Sequence, residues 1–134
     1  MKYIDVAVGV ILRDNQTFVC LRASDKHQGG KWEFPGGKVE EGEAPDAALG
    51  RELQEEVAIV TTFCEPLLMI EHDYGDKCVR LHVYTVTGFD GEPIGAEDQP
   101  GKWLALDNLS YDDFPAANRE IIDALMAQQA KTAD

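Results

Sequence analysis

The chain has 134 residues, of which 44% are hydrophobic and 28% charged, and its formal net charge at pH 7 is −13. These values predict one soluble domain over residues 1–134 with a core of its own. The negative charge argues against a nucleic-acid polymer as partner, because such binding relies on Lys and Arg to neutralise phosphates. No apolar run is long enough to span a membrane, and the three cysteines lack paired spacing, so we expect a cytoplasmic protein.

Strands and helices alternate in the predicted secondary structure. β-branched residues predict a hairpin of two strands around the turn Asp14-Asn15-Gln16. A glycine turn at residues 35–37 then precedes a helix at Pro45–Val57. Strands are predicted at residues 3–12, 17–22, 38–39, 58–70, 78–89 and 102–106, and a second helix at 117–129. Strands separated by helices indicate an α/β fold with a mixed sheet.

The predicted helix has an apolar face and an acidic face. Its apolar stripe consists of Leu49, Leu53 and Val57, whereas Glu52, Glu55 and Glu56 occupy another sector. Glutamates three and four residues apart repel each other by about 0.2–0.5 kcal/mol per pair. A hard divalent cation such as Mg²⁺ would offset this repulsion. On its own, however, the run Arg51 to Glu56 is more typical of a solvated helix face.

The acidic residues around this helix limit what it can bind. Between Gly36 and Glu56, seven acidic side chains stand against only Lys38 and Arg51. A small phosphate ester is admissible there only if metal ions cancel the local negative charge.

These residues resemble the Nudix box, in which Gly, Glu, Arg-Glu and Glu-Glu recur at fixed spacing. The matching residues are Gly37, Glu43, Arg51, Glu52, Leu53, Glu55, Glu56 and Ile59. The one departure is Ala58, where the family has glycine. Because glycine after a helix supplies a left-handed turn, an alanine there would cost about 1 kcal/mol.

Outside the box, the chain resembles the MutT branch of this family. The resemblance rests on WEFPGGK at residues 32–38, on the stretch from 91–93 to 99–101, and on DFPAAN at 113–118. It implies an α/β/α sandwich with a mixed sheet and a loop-helix-loop carrying the box. It also implies hydrolysis of 8-oxo-dGTP, and of 8-oxo-GTP, to the nucleoside monophosphate and pyrophosphate. Such an activity would cleanse the nucleotide pool and prevent mutation.

The same resemblance implies a set of site residues. The expected cofactor is Mg²⁺, with Mn²⁺ as a substitute, and its ligands are the Gly37 carbonyl, Glu52, Glu55, Glu56 and Glu97. Arg51 would orient the helix glutamates, and Glu52 or Glu97 would accept the proton from water. The expected partner is a small-molecule nucleoside triphosphate bound by a monomer. Its pocket would consist of Arg22, Phe34, Tyr74, Asp76, Lys77 and Asn118.

Several of these residues also have a simpler structural interpretation. Gly36 and Gly37 are consistent with a plain turn, Glu97 and Arg22 with surface charges, and Phe34 and Tyr74 with core or rim aromatics. Asn118 is equally suited to capping the second helix.

Two other functions stay open from the sequence. One is a pyrophosphohydrolase for another nucleotide, such as a pyrimidine triphosphate. The other is a nucleotide-binding module without catalysis, which would be expected to have lost its metal ligands.

Overall fold

The first two strands form the predicted hairpin. In the computed structural model, residues 2–21, 30–73, 75–95 and 99–132 are described. Strand β1 is Lys2–Arg13 and strand β2 is Gln16–Leu21, paired antiparallel. The two residues between them, Asp14 and Asn15, have φ of 53° and 62°. Positive φ at both central positions is the turn geometry that suits the twist of a hairpin, and Asp and Asn tolerate it well.

The remaining elements follow the predicted order, with differences at their ends. Helix α1 occupies Pro45–Val57, as predicted, whereas the last helix begins two residues later than expected because Ala116–Asn118 forms a 3₁₀ turn. The short strand β3 was not predicted. The other elements are β3 Trp32–Glu33, β4 Gly36–Lys38, β5 Val60–Asp73, β6 Lys77–Asp90, β7 Gly101–Ala105, 3₁₀ turns at Leu106–Asn108, Tyr111–Asp113 and Ala116–Asn118, and α2 Arg119–Thr132.

The strands form one mixed sheet in the order β3-β2-β1-β6-β5, with β4 paired to β1 and β7 paired to β2. Strands β1 and β6 run parallel from the pair Lys2 and Lys77 to the pair Ile11 and Val86. The other pairs are antiparallel. This arrangement confirms the predicted mixed sheet.

Side chains on the two faces of the sheet form two separate hydrophobic cores. On β1, Ala7 and Ile11 pack in the core that contains α1, whereas Val8 and Val10 pack in the core that contains α2. Helix α1 packs closely on β1 because Gly9 has no side chain, and a Cβ there would lie 3.0 Å from Leu53 Cδ1. The result is the predicted three-layer α/β/α sandwich. Neither helix in the described part of the chain is long and apolar enough to cross a membrane.

Candidate active site

Two adjacent glycines bring strand β4 against β1 and against helix α1. Neither has a positive φ, and Gly37 pairs with Ala7 of β1. A Cβ on Gly36 would lie 2.0 Å from the Ala7 carbonyl oxygen, and a Cβ on Gly37 would lie 2.3 Å from the Glu52 carboxyl carbon. The interpretation of Gly36-Gly37 as a turn is therefore wrong, since glycine is needed here for close approach. The Gly37 backbone and the Glu52 carboxylate lie in direct contact.

Arg51 ties together the loop, the strand and the helix of this region. Its Nε and NH2 groups donate to the two carboxylate oxygens of Glu43, each at 3.0 Å. NH2 also donates to the Lys38 carbonyl at 3.0 Å, and NH1 donates to Glu52 Oε1 at 2.9 Å. The hydrogen bonds from Arg51, followed by one from the Glu40 backbone, hold the pKa of Glu43 below its ordinary value of 4.5. Arg51 is thus held by Glu43 and by the Lys38 carbonyl while it donates one hydrogen bond to Glu52.

The three helix glutamates differ in their surroundings. The Glu52 side chain is only 15% exposed, whereas that of Glu55 is 61% exposed and lies 3.5 Å from Arg51 NH1. Glu56 Oε2 accepts a long hydrogen bond of 3.4 Å from the Gly36 backbone N–H. Part of the like-charge repulsion inferred from the sequence is therefore offset by Arg51.

The donors at this junction suit a hard divalent cation. They are the carboxylate oxygens of Glu52, Glu55 and Glu56 and the backbone carbonyl of Gly37, and oxygen donors of this kind are those that Mg²⁺ prefers. Within the described residues, no three His, Cys, Asp or Glu side chains are already gathered as a ligand set. Because residue 37 is glycine, it has no side chain that would lie between its backbone and the Glu52 carboxylate.

Three predicted site residues, Arg22, Tyr74 and Glu97, lie outside the described residues. The chain on either side of residues 96–98 comes close together, because a Cβ on Gly95 would lie 2.0 Å from the Gln99 carbonyl oxygen. The roles of these three residues stay predictions.

The predicted nucleotide pocket is represented by residues from three parts of the chain. Phe34 is 5% exposed and stacks on Phe114, with ring centroids 5.1 Å apart and an interplanar angle of 18°. Asp76 lies in the turn before β6, and Lys77 begins that strand, both with exposed side chains. Among the described residues, no hydrogen bond or ion pair joins Asp76 to Phe34 or Asn118.

Asn118 lies at the end of the last 3₁₀ turn, half-buried. Its backbone N–H donates to the Pro115 carbonyl at 2.9 Å. Its side-chain amide makes no hydrogen bond with any residue in the described part of the chain, so capping of α2 does not account for it. An amide offers both a donor and an acceptor to a ligand.

Two residues of the site were missed by the sequence interpretation. Glu43 was noted only as a position of the motif, although it is the main partner of Arg51. The signal in the sequence that could have indicated this pairing was an acidic residue in the loop eight residues before Arg51. Phe114 received no role, and only its flanking pattern, Asp-Phe-Pro, marked it.

Cys20 lies near this site but is not a nucleophile. Burial, followed by the nearby charges of Glu56 and Glu33, raises the pKa of the Cys20 thiol to about 12. The thiol therefore stays protonated, and a protonated thiol is a poor nucleophile.

Comparison with known proteins identifies the family. A model of the NUDIX domain matches residues 7–124. The chain belongs to the Nudix family. It is 44% identical over 126 residues to the 8-oxo-dGTP diphosphatase of Escherichia coli (strain K12), a match covering 93% of this chain and 98% of that relative.

Two further similarities cover nearly all of the chain. The CTP pyrophosphohydrolase of Escherichia coli (strain K12) is 32% identical over 130 residues, or 97% of this chain and 96% of that relative. A solved structure from a study of MutT of Aliivibrio salmonicida and Vibrio cholerae has a TM-score of 0.85 and 36% identity, covering 95% of this chain and 99% of that one. Nudix hydrolases generally use divalent metal ions, in agreement with the oxygen donors around Gly37.

Proposed function

We propose that this Nudix protein is a Mg²⁺-dependent diphosphatase of 8-oxo-dGTP, and of 8-oxo-GTP, releasing the nucleoside monophosphate and pyrophosphate. The observation that carries the proposal is the Arg51 network, which holds Glu52 of α1 beside the Gly37 backbone of β4. The likeness to an 8-oxo-dGTP diphosphatase over nearly the whole chain supports the choice of substrate. A single domain over residues 1–134, a monomeric state and a cytoplasmic location belong to the same proposal.

The metal-binding residues in this proposal are the Gly37 carbonyl, Glu52, Glu55, Glu56 and Glu97. When bound, Mg²⁺, or Mn²⁺ in its place, neutralises phosphate charge and makes water more acidic. Without such a cation, the acidic residues on this surface would repel a triphosphate.

The protein's own groups then orient the substrate and accept a proton. We assign acceptance of the proton from the attacking water to Glu52, with Glu97 as the alternative. The hydrogen bond from Arg51 to one Glu52 carboxylate oxygen supports this assignment. Phosphoryl transfer depends mainly on positioning and electrostatic stabilisation, so it needs no covalent enzyme intermediate. The protonated thiol of Cys20 agrees with this.

Base recognition is assigned to Asn118. Its amide has no hydrogen-bond partner among the described residues and can therefore offer both donor and acceptor to the edge of an oxidised guanine. Arg22, Phe34, Tyr74, Asp76 and Lys77 complete the proposed pocket.

The second candidate is hydrolysis of a pyrimidine nucleoside triphosphate. It is favoured by the similarity to a CTP pyrophosphohydrolase, which also covers nearly the whole chain. A binding module without catalysis is disfavoured because Glu52, Glu55, Glu56 and Glu97 are all present in the sequence.

The test is hydrolysis of 8-oxo-dGTP, dGTP, CTP and ADP-ribose at equal low concentration, with Mg²⁺ and with chelator. Release of pyrophosphate is measured for the three triphosphates, and release of AMP is measured for ADP-ribose. Preference for 8-oxo-dGTP that disappears with chelator would support the proposal. Preference for CTP would move the function to the second candidate, and no turnover of any of the four would refute hydrolysis of these substrates.

Matched variants test the proposed metal-binding residues and the proposed base-binding residue separately. Glu56→Gln should lower turnover far more than stability, whereas Glu41→Gln, in the exposed loop before α1, should leave turnover unchanged. Asn118→Ala should reduce the preference for the oxidised base selectively, with Asn108→Ala as the exposed control. A uniform loss on all substrates in Asn118→Ala would contradict its role in recognition.

A further inference from the structure

The segment between β7 and α2 carries Asn118 but has no strand pairing to hold it. It consists of three single 3₁₀ turns. One side is fixed to α2, because the Tyr111 hydroxyl donates to the Asp123 carboxylate and Arg119 lies 5.4 Å from the centre of the Tyr111 ring. The segment is also held at Leu106, whose N–H donates to the Asn15 carbonyl at 2.9 Å, and at the Asp112 carbonyl, which accepts from Lys31 Nζ at 2.8 Å.

Nearer to Asn118, Phe114 supplies the contact with the core on the α2 side of the sheet. It is 2% exposed, and it is the one fully buried side chain between Ser110 and Asn118. Its ring stacks on Phe34 in the core on the α2 side of the sheet. Stacked aromatic pairs have a preferred geometry as well as a large buried area, so they fix orientation better than aliphatic contacts do.

The stack links two short segments with different tasks. Phe34 is followed by Pro35, whose carbonyl accepts a hydrogen bond of 2.8 Å from Gly9 of β1, and then by Gly36 and Gly37 of β4. From Phe114, the chain continues to Asn118 through a turn in which the Asn118 backbone N–H donates to the Pro115 carbonyl. The strand that contacts Glu52 and the segment that carries Asn118 therefore meet at this pair of rings.

We propose that Phe114 is a positioning residue for base recognition: its ring, stacked on Phe34, sets the place of the Asn118 amide relative to strand β4. This inference rests on the proposed function, because it assigns Asn118 to the base. Phe114 itself is buried and acts through Asn118 and through Phe34, which the proposed function also assigns to the pocket.

The first variant is Phe114→Leu, which keeps an apolar side chain but removes the stack. The ratio of kcat/KM for 8-oxo-dGTP to that for dGTP should fall by about tenfold or more, because misplacement of about 1 Å can cost about a hundredfold. The kcat for dGTP should fall by less than this ratio, since the Arg51 network is untouched. If Phe114→Leu does not fold, Phe114→Met takes its place, because Met fills irregular core space without a ring.

Two controls in the same core separate positioning from loss of stability. Ile121→Val and Leu125→Ala alter fully buried side chains of α2 and should bracket the stability lost in Phe114→Leu. The substrate ratio should stay unchanged in both. An unchanged ratio in Phe114→Leu, or an equal fall in the controls, would overturn the inference.

A measurement without substrate distinguishes this inference from the proposed function. The Asn118 backbone N–H donates to the Pro115 carbonyl, so its hydrogen-exchange rate reports on the stability of this turn. This rate should be about tenfold higher in Phe114→Leu than in either control. If the wild-type protein shows no preference for the oxidised base, the proposed function fails, and the exchange rate alone decides on positioning. Equal exchange in all three variants would refute it.

Discussion

Replacing Gly37 with alanine should separate catalysis from folding. The new Cβ would lie 2.3 Å from the Glu52 carboxyl carbon, whereas ordinary contacts begin near 3.4 Å, so the carboxylate must retreat by about 1 Å. The carboxylate is the far end of a flexible side chain, and Gly37 has no positive φ, so the backbone accommodates alanine. A displacement of about 1 Å at a reacting group can cost about a hundredfold in rate. We therefore expect kcat of Gly37→Ala to fall by about a hundredfold, with little loss of stability.

The neighbouring glycine provides the matched control. A Cβ on Gly36 would lie 2.0 Å from the Ala7 carbonyl oxygen, which belongs to the backbone of β1 and cannot move aside alone. Gly36→Ala should therefore lower the free energy of unfolding by about 1–3 kcal/mol, the usual cost of overpacking. The same chemical change at adjacent positions is thus expected to act on different properties.

The assay is pyrophosphate release with Mg²⁺, together with urea unfolding of both variants. The reasoning would be refuted if Gly37→Ala kept its kcat within about threefold of wild type, since the Glu52 carboxylate would then tolerate displacement. It would also be refuted if both variants lost the same stability.

Three further predictions concern stability. Ala58 ends α1 in the left-handed region, with φ 63° and ψ 33°, and its side chain is exposed. Ala58→Gly should therefore stabilise the protein by about 1 kcal/mol, as measured by urea unfolding. The control Ala47→Gly, inside the helix, should destabilise the protein by a similar amount. Loss of stability in both would contradict this. Thr17 is fully buried, and its hydroxyl has no hydrogen-bond partner among the described residues. Thr17→Val should therefore raise the free energy of unfolding by about 1 kcal/mol. A decrease would show that the hydroxyl does have a hydrogen-bond partner. Arg51 lowers the pKa of Glu43 from 4.5, so the stability that this pair contributes should be complete above that pH and lost as the pH falls below it. The stability difference between wild type and Glu43→Gln should accordingly shrink from pH 7 to about pH 3, and a constant difference would exclude the ion pair as its cause.

The bounds and the two faces of helix α1 could be predicted because their determinants are local. Pro45 marks the start of α1, and the apolar stripe at spacing of four residues sets which face is buried. Glu52 and Glu56 then necessarily occupy another face of the same helix. The end of the helix at Val57 was also predicted, although it depends on a left-handed Ala58 rather than on glycine.

The rest of the fold depends on contacts between distant residues. The parallel pairing of β1 with β6 joins residues 75 positions apart, and nothing in either strand specifies that register locally. The two-residue strand β3 exists because it pairs with β2. The bond from Arg51 to Glu43 likewise follows from the path of a loop, and the stack of Phe34 on Phe114 follows from the packing of α2 on the sheet.

This separation between local and distant determinants has a consequence for specificity. The groups assigned to the metal, apart from Glu97, lie in one continuous stretch from Gly37 to Glu56, whereas the groups assigned to the base lie in segments far apart in the sequence. If these assignments hold, substitutions in the second set are expected to change the preferred base without disturbing Arg51 or Glu52. Relatives with different named substrates are therefore expected to share the first set, and Asn118 with its supporting Phe114 should decide which base is hydrolysed.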